Sequence, residues 1–549
     1  MNPTATAPGV VERLAEWAIR TPDRAAVICC EAGGSSRALT FAELDDAAAR
    51  VARALAAYGL KRGDRVALLA PPTLDFFSTA FALFKLGAVT VMADPGMGIR
   101  NLGRCLGEAA PRALIGSSRA HVASRLFGWA RGAIRIRVTL GAAGWFGSAS
   151  LDTLLGAVSE RPFNLAATEA EETAAILFTS GATGPPKGAV YTHGMFAAQV
   201  EALREMFPPA ENDVDLATFP LFALFDPALG VTAVVPEMNA SRPGEADPEK
   251  LLRAIGERRA TRMFGSPALI ERLARFGRAP ELRSLRCVLT AGAPVRADVL
   301  DRLAPMLDFT ARIHTPYGAT EALPVSSIDA REILGSTRGE TERGGGVCIG
   351  RPVAGVRVEL IRIADEPIAE WSDDLRVAAG EAGEIAVRGP VVSRKYWSRP
   401  EATALAKIAI PGGSEFFHRM GDVGRIDADG RLWFLGRKSH RVETAEGILH
   451  SVACEGIFNA HPSVRRTALV GVGKHGARRP AICIELEPSE AKANREEIAY
   501  KLKAMAKANP MTRAIRDFLF HPAFPVDVRH NAKIDRPRLA EWAARRVRR

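Results

Sequence analysis

Cysteine is scarce: seven residues in 549, none forming a C-x-x-C pair, and the adjacent Cys29 and Cys30 cannot supply a zinc site. So few, scattered and odd in number, they exclude a disulfide framework and fit a reducing compartment, so a cytoplasmic location is expected. Residues 1–20 lack the short apolar core of a secretion signal, being interrupted by Arg13 and Glu16. No transmembrane segment is expected either. The best stretch, Phe76 to Ala93, is broken by Lys85 and reads as a helix leading into a buried strand. No repeat of 20–50 residues is visible. Hydrophobic residues at 47% and charged ones at 25% exclude a disordered or fibrous chain. The length exceeds one ordinary core and predicts a large body with a satellite. The net charge of +11 suits an anionic ligand, lipid or nucleic acid. Its densest run, Arg545 to Arg549 beside Trp542, reads as a solvated helix end, and without an accompanying aromatic groove no nucleic-acid partner is expected.

Strand and helix patterns alternate through the first third, with strands at Arg65 to Ala70, Ala88 to Met92, Ala113 to Ile115 and Ile134 to Leu140. They resume at Ala174 to Phe178, Thr261 to Phe264, Cys287 to Thr290 and Ala311 to His314. Strands spaced by helices predict parallel sheets in an α/β body. Shorter strands after Gly344 (Gly383 to Val387, Leu432 to Leu435) predict a β-subdomain. Beyond Arg437, helices at Val452 to Asn459, Arg495 to Lys507 and Arg538 to Arg546 alternate with strands at Thr467 to Val470 and Ile482 to Leu486, predicting a small α+β unit.

Three strings carry chemistry. Thr179-Ser180-Gly181-Ala182-Thr183-Gly184, continuing through Pro185-Pro186 to Lys187, follows an apolar strand and suits a loop that wraps phosphate with backbone N–H groups and hydroxyls. It is not a Walker loop, because Pro186 stands where the second glycine belongs. Tyr317-Gly318-Ala319-Thr320-Glu321 offers a ring to stack on a purine, a hydroxyl for phosphate and a carboxylate for Mg²⁺, although the same string can cap a helix. Asp422, in Gly421-Asp422-Val423-Gly424, can accept both ribose hydroxyls and Arg437 can close the same sugar. The alternative for Asp422 is a turn residue.

Together and in this order, the strings resemble the adenylate-forming superfamily of acyl- and aryl-CoA synthetases, peptide-synthetase adenylation domains and luciferases. The resemblance runs from Thr40-Phe41-Ala42-Glu43-Leu44 to Ala532-Lys533-Ile534-Asp535-Arg536. It implies an N-terminal adenylating domain (1–437), a hinge near Lys438-Ser439, and a mobile C-terminal lid (438–549). It further implies ATP and Mg²⁺ as cofactors. Thr179 to Lys187 would hold the β- and γ-phosphates, and Ala291, Gly292, Ala293 and Tyr317 would line the adenine. Thr320 would meet phosphate, Glu321 would hold Mg²⁺, and Asp422 and Arg437 the ribose. Lys533 would bridge the substrate carboxylate and the α-phosphate.

Where CoA ligases carry a lysine after the Gly-Arg pair, Glu443 stands here, and the following glycine is displaced to Gly447. This is a poor surface for a 3′-phosphorylated acceptor. The stretches Phe225-Asp226-Pro227-Ala228-Leu229-Gly230, Val442 to Gly447 and Arg529-His530-Asn531-Ala532-Lys533 are similar to those of bacterial olefin β-lactone synthetases. That resemblance implies a 2-alkyl-3-hydroxyalkanoic acid, activated as its adenylate and closed by its own 3-hydroxyl. It also implies thiolase, reductase and lactone decarboxylase partners. An acyl-CoA or acyl-carrier ligase, or a nucleotide-binding scaffold, remain the alternatives. Phe222, Leu224, Phe225, Met263, Phe264 and Gly265 are expected to line the acyl pocket. Asp226 either orients the 3-hydroxyl or caps a helix before Pro227. His193 either accepts the hydroxyl proton or caps a helix.

Overall fold

The computed structural model describes residues 8–141, 147–157, 167–178, 185–277, 280–474, 476–490, 492–526 and 533–547. Among these, two large sheets form the body. In the seven-stranded one, Ala149–Ser150, Ile136–Thr139, Ala113–Gly116, Arg65–Leu69, Val89–Ala93 and Thr173–Phe178 run parallel, and Gly188–Thr192 closes the edge antiparallel. The nine-stranded sheet has a parallel centre that includes Arg312–Ala319, Cys287–Thr290, Arg262–Gly265, Val214–Ala217 and Thr232–Val235, with antiparallel strands at both edges.

One hydrophobic core joins residues of both sheets with the helices Val10–Arg20, Phe41–Ala57 and Leu74–Leu86. The helix Leu74–Leu86 is buried on almost every face because sheet and helix neighbours surround it. Its one cation, Lys85, is neutralised by Asp45 at 2.8 Å. Among the described residues no helix is long and apolar enough to cross a membrane. The helix Phe41–Ala57 starts on a reciprocal cap: Thr40 accepts from the Glu43 N–H and Glu43 from the Thr40 N–H.

A six-stranded antiparallel sheet follows, built on the long strand Phe416–Ile426 between Gly383–Arg388 and Leu432–Arg437. At its centre Arg419 and Glu384, both essentially without solvent contact, pair at 2.7 Å, and Lys438 joins Glu384 at 3.2 Å. The last described elements form a three-stranded sheet (Val464–Val472, Arg479–Leu486, Asp517–Phe520) with the helices Ser451–Asn459, Arg495–Ala508 and Arg536–Ala544. The last helix starts two residues earlier than its pattern suggested, because the Asp535 side chain caps it and a proline sits at its head.

Candidate active site

The hairpin Arg312–Ala319/Ala322–Asp329 places Thr320 and Glu321 in its turn. Tyr317 and Gly318 lie within the first strand, not after it as expected from the sequence. Asp422 likewise lies in mid-strand, directly across from Arg437 in the ladder, which removes the turn-residue alternative. The Tyr317 hydroxyl donates to Asp422 Oδ2 at 2.6 Å, and Arg437 Nε lies 3.1 Å from Oδ1. That ion pair is out of hydrogen-bond alignment, so the buried Oδ1 retains an unused lone pair. Burial pushes the Asp422 carboxyl up while Arg437 and the phenol pull it down. Asp422 in turn holds the Arg437 guanidinium above its ordinary range.

At the turn, the Tyr396 hydroxyl donates to Glu321 Oε1 at 2.7 Å, and the Ser393 N–H donates to the Glu321 carbonyl at 2.8 Å. The Tyr191 hydroxyl donates to the Thr320 carbonyl. Lys187 lies with Nζ 5.1 Å from the Tyr396 ring centre. Lys407 donates to the Ser393 carbonyl, and burial brings its ammonium down to about 7 against the opposing pull of Glu321. Sequence reasoning missed Tyr191, Ser393, Tyr396 and Lys407. Tyr396 reaches the turn through a bridge with Ala189, a pairing that no local pattern announces.

Beside the hairpin lies a cavity walled by Phe207, Phe222, Phe225, Phe264, Leu289, Leu323 and other apolar side chains. Ala291 and Pro316 also face it, so strand Arg312–Ala319 presents Pro316 to this cavity and Tyr317 to Asp422. Polar groups in the wall are Gln199, Asp215, Asp226 and Arg262.

A family model for AMP-binding enzymes matches residues 14–397. The chain belongs to the AMP-binding enzyme family. It is 47% identical to an olefin beta-lactone synthetase of Xanthomonas campestris over 97% of each chain. The amide bond synthetase of Marinactinospora thermotolerans superposes with a TM-score of 0.79 at 24% identity, covering 97% of this chain and 99% of that one. The o-succinylbenzoate CoA synthetase of Bacillus subtilis, solved with ATP and magnesium, superposes at 0.75 and 22% identity over 96% and 98%. These two share the layered α/β fold.

In this AMP-binding enzyme the expected residues fall into three groups. Tyr317, Gly318, Thr320, Glu321, Asp422, Arg437 and Lys187 belong to the polar network around the hairpin. Gly292, beside the cavity-facing Ala291, has φ 105°, a left-handed backbone that favours glycine. Phe222, Phe225, Asp226 and Phe264 line the cavity, but Met263 and Gly265 do not. Successive strand residues face opposite sides, so Met263 joins the core on the far face and Gly265 packs against Ile270. Leu224 is also turned into the core.

Asp226 is not a helix cap: Phe225 occupies that position and no side chain caps there. Nor is His193, whose helix is capped by Thr192. His193 packs edge-on against Phe84 outside the cavity wall, and burial brings its imidazole down to about 4. Thr179 to Gly184 and 527–532 lie outside the described residues. Lys533 precedes Ile534, which bridges to Val526. Three residues on, Arg536 pairs with Glu455 at 2.6 Å; burial, reinforced by Arg536 and Arg437, brings the His440 imidazole down to about 3. Glu443, the departure from the CoA-ligase pattern, pairs with Arg441 at 3.1 Å.

Proposed function

We propose that this chain is an ATP-dependent β-lactone synthetase. It converts a 2-alkyl-3-hydroxyalkanoic acid to its acyl adenylate with release of diphosphate, and the substrate's 3-hydroxyl then displaces AMP. The observation that carries this reading is the likeness to an olefin beta-lactone synthetase over 97% of both chains, which includes the C-terminal unit beyond the family match.

The first step brings a carboxylate against a phosphate, anion against anion, so its catalysis is positioning plus placed positive charge. Asp422 and Arg437 hold the ribose: the free Oδ1 lone pair accepts a sugar hydroxyl. Tyr317 with Ala291, Gly292 and Ala293 packs the adenine. The segment Thr179 to Lys187 and Thr320 hold the phosphates. Lys533, carried by a C-terminal lid that begins near Lys438, bridges carboxylate and α-phosphate. Among the described residues no three His, Cys, Asp or Glu side chains cluster as a self-sufficient metal site. A single carboxylate, Glu321, steadied by Tyr396, fits Mg²⁺ that takes its other ligands from phosphates and water. Bound there, the ion would offset phosphate charge.

In the second step the nucleophile is tethered to its target. Such effective molarity is worth about 7–11 kcal/mol before ring strain is subtracted, and no tunnel for a separate acceptor is needed. The apolar lining of the cavity suits alkyl chains. The test is incubation with ATP, Mg²⁺ and a 2-alkyl-3-hydroxy acid, with and without CoA. Lactone and AMP without CoA are expected; a thioester formed only with CoA would replace this reading with that of an acyl-CoA ligase.

A further inference from the structure

Apart from Gln199, the polar lining of the cavity is one charged cluster that adenylate formation does not use. Asp215, on strand Val214–Ala217, and Asp226, at the start of the short helix Asp226–Leu229, both line it, both are more than nine-tenths buried, and each shifts the other's proton affinity. Asp226 Oδ2 is buried and has no hydrogen-bond partner among the described residues. Buried unpaired acceptors are costly and are retained where they do chemistry or meet a ligand.

The local charge balance fixes the state of the pair. Three carboxyls (Asp213, Asp215, Asp226) face two guanidiniums. Arg286 is bound to Asp213, while Arg262 lies 3.6 Å from Asp213 and donates to the Phe207 carbonyl at 3.0 Å. The neighbouring His314 and Cys287 are kept neutral by burial. One carboxyl is therefore left without a counter-charge and keeps its proton, as in any carboxyl dyad too close for both members to ionise. Burial pushes Asp215 up to about 6 and Asp226 well above the ordinary carboxyl range. Gln199, the other polar wall group, has its Oε1 unpartnered but donates through Nε2 to the Leu323 carbonyl; an amide can orient a hydroxyl but cannot take its proton.

We propose that the Asp226–Asp215 pair is the proton acceptor for ring closure, with Asp226 as the catalytic residue and Asp215 as the positioning residue that receives the shared proton. The inference rests on the β-lactone reading above. The 3-hydroxyl oxygen bonds to the acyl carbon while the acyl C–O bond to the phosphate breaks, and AMP leaves with that electron pair. The hydroxyl proton passes to Asp226 Oδ2 as the proton between the carboxyls shifts to Asp215. The pair ends doubly protonated and returns one proton to solvent after product release.

The test separates the two half-reactions on the full chain with ATP, Mg²⁺ and a 2-alkyl-3-hydroxyalkanoic acid, reading the diphosphate burst and lactone independently. Asp226→Asn should leave the burst within about threefold and slow lactone formation by about 10²-fold or more, the usual size of a general-base contribution. In the unsubstituted protein lactone formation should fall as pH drops below about 6, where Asp215 takes up its proton. Asp215→Asn should abolish that limb while leaving the burst in place. Wild-type closure rates in Asp226→Asn overturn the proposal. Should that variant not fold, an unchanged acid limb in Asp215→Asn overturns it. Absence of lactone from the unsubstituted protein, with AMP still formed, instead sinks the β-lactone reading on which the proposal rests.

Discussion

The two sides of the hairpin Arg312–Ala319/Ala322–Asp329 treat buried charge in opposite ways. On the Tyr317 side every carboxylate has a dedicated partner: Asp422 has Arg437 and a phenol, Glu321 has Tyr396, and Glu384 beneath them has Arg419 and Lys438. On the Pro316 side, Asp215 and Asp226 are buried in one cavity wall and each shifts the other's proton affinity. Fully paired charge is fixed in place before a ligand arrives, which suits binding and electrostatic stabilisation. A carboxyl dyad is poised to change its proton count, which suits proton transfer.

The largest effect on this contrast should come from Arg419→Met, which leaves Glu384 in the β-sheet core with Lys438 as its one remaining cation. Breaking a buried pair from one side costs about 3–5 kcal/mol, to be read as a lower urea midpoint; an unchanged midpoint would mean that the paired side is not held by its charges. Next, Lys533→Ala should slow AMP formation by about 10²–10³-fold, roughly 3–4 kcal/mol, with acid binding retained. Equal loss of both would remove its assigned role. Tyr396→Phe deletes one hydrogen bond to a carboxylate, worth about 1.5–3 kcal/mol. It should raise the Mg²⁺·ATP concentration needed for diphosphate release roughly ten- to a hundredfold, without altering lactone closure.

The smallest effect is on the pH dependence of stability. Because Asp215 is raised from 3.8 to about 6 in the folded protein, its contribution is complete below the lower value and is lost as pH climbs through the upper one. Asp215→Asn, which removes the titrating carboxyl, should flatten the urea-midpoint curve across that window.

Much of this was legible in the sequence. The parallel body followed from strands spaced by helices, and three strings far apart in the chain marked Tyr317, Glu321, Asp422 and Arg437, because glycine-flanked polar groups beside apolar strands stand out locally. What stayed hidden depends on tertiary pairing. Tyr396 meets Glu321 only through its bridge to Ala189, and Asp215 and Asp226, on separate elements, meet only in the wall of one cavity. The misplacing of Met263 came from reading a run of apolar residues as one surface, when pleating sends Phe264 to the cavity and Met263 to the core behind it.

The pleat of one strand has a last consequence. Pro316 and Tyr317 are adjacent links of a single backbone, one touching the acyl chamber and the other the Asp422 cluster. A one-residue slip would exchange the two faces at once. On the proposed function, acid preference and nucleotide grip thus share a common partition, and remodelling of the chamber for longer or bulkier chains is freer at Phe222 and Phe225, which lie outside the hairpin.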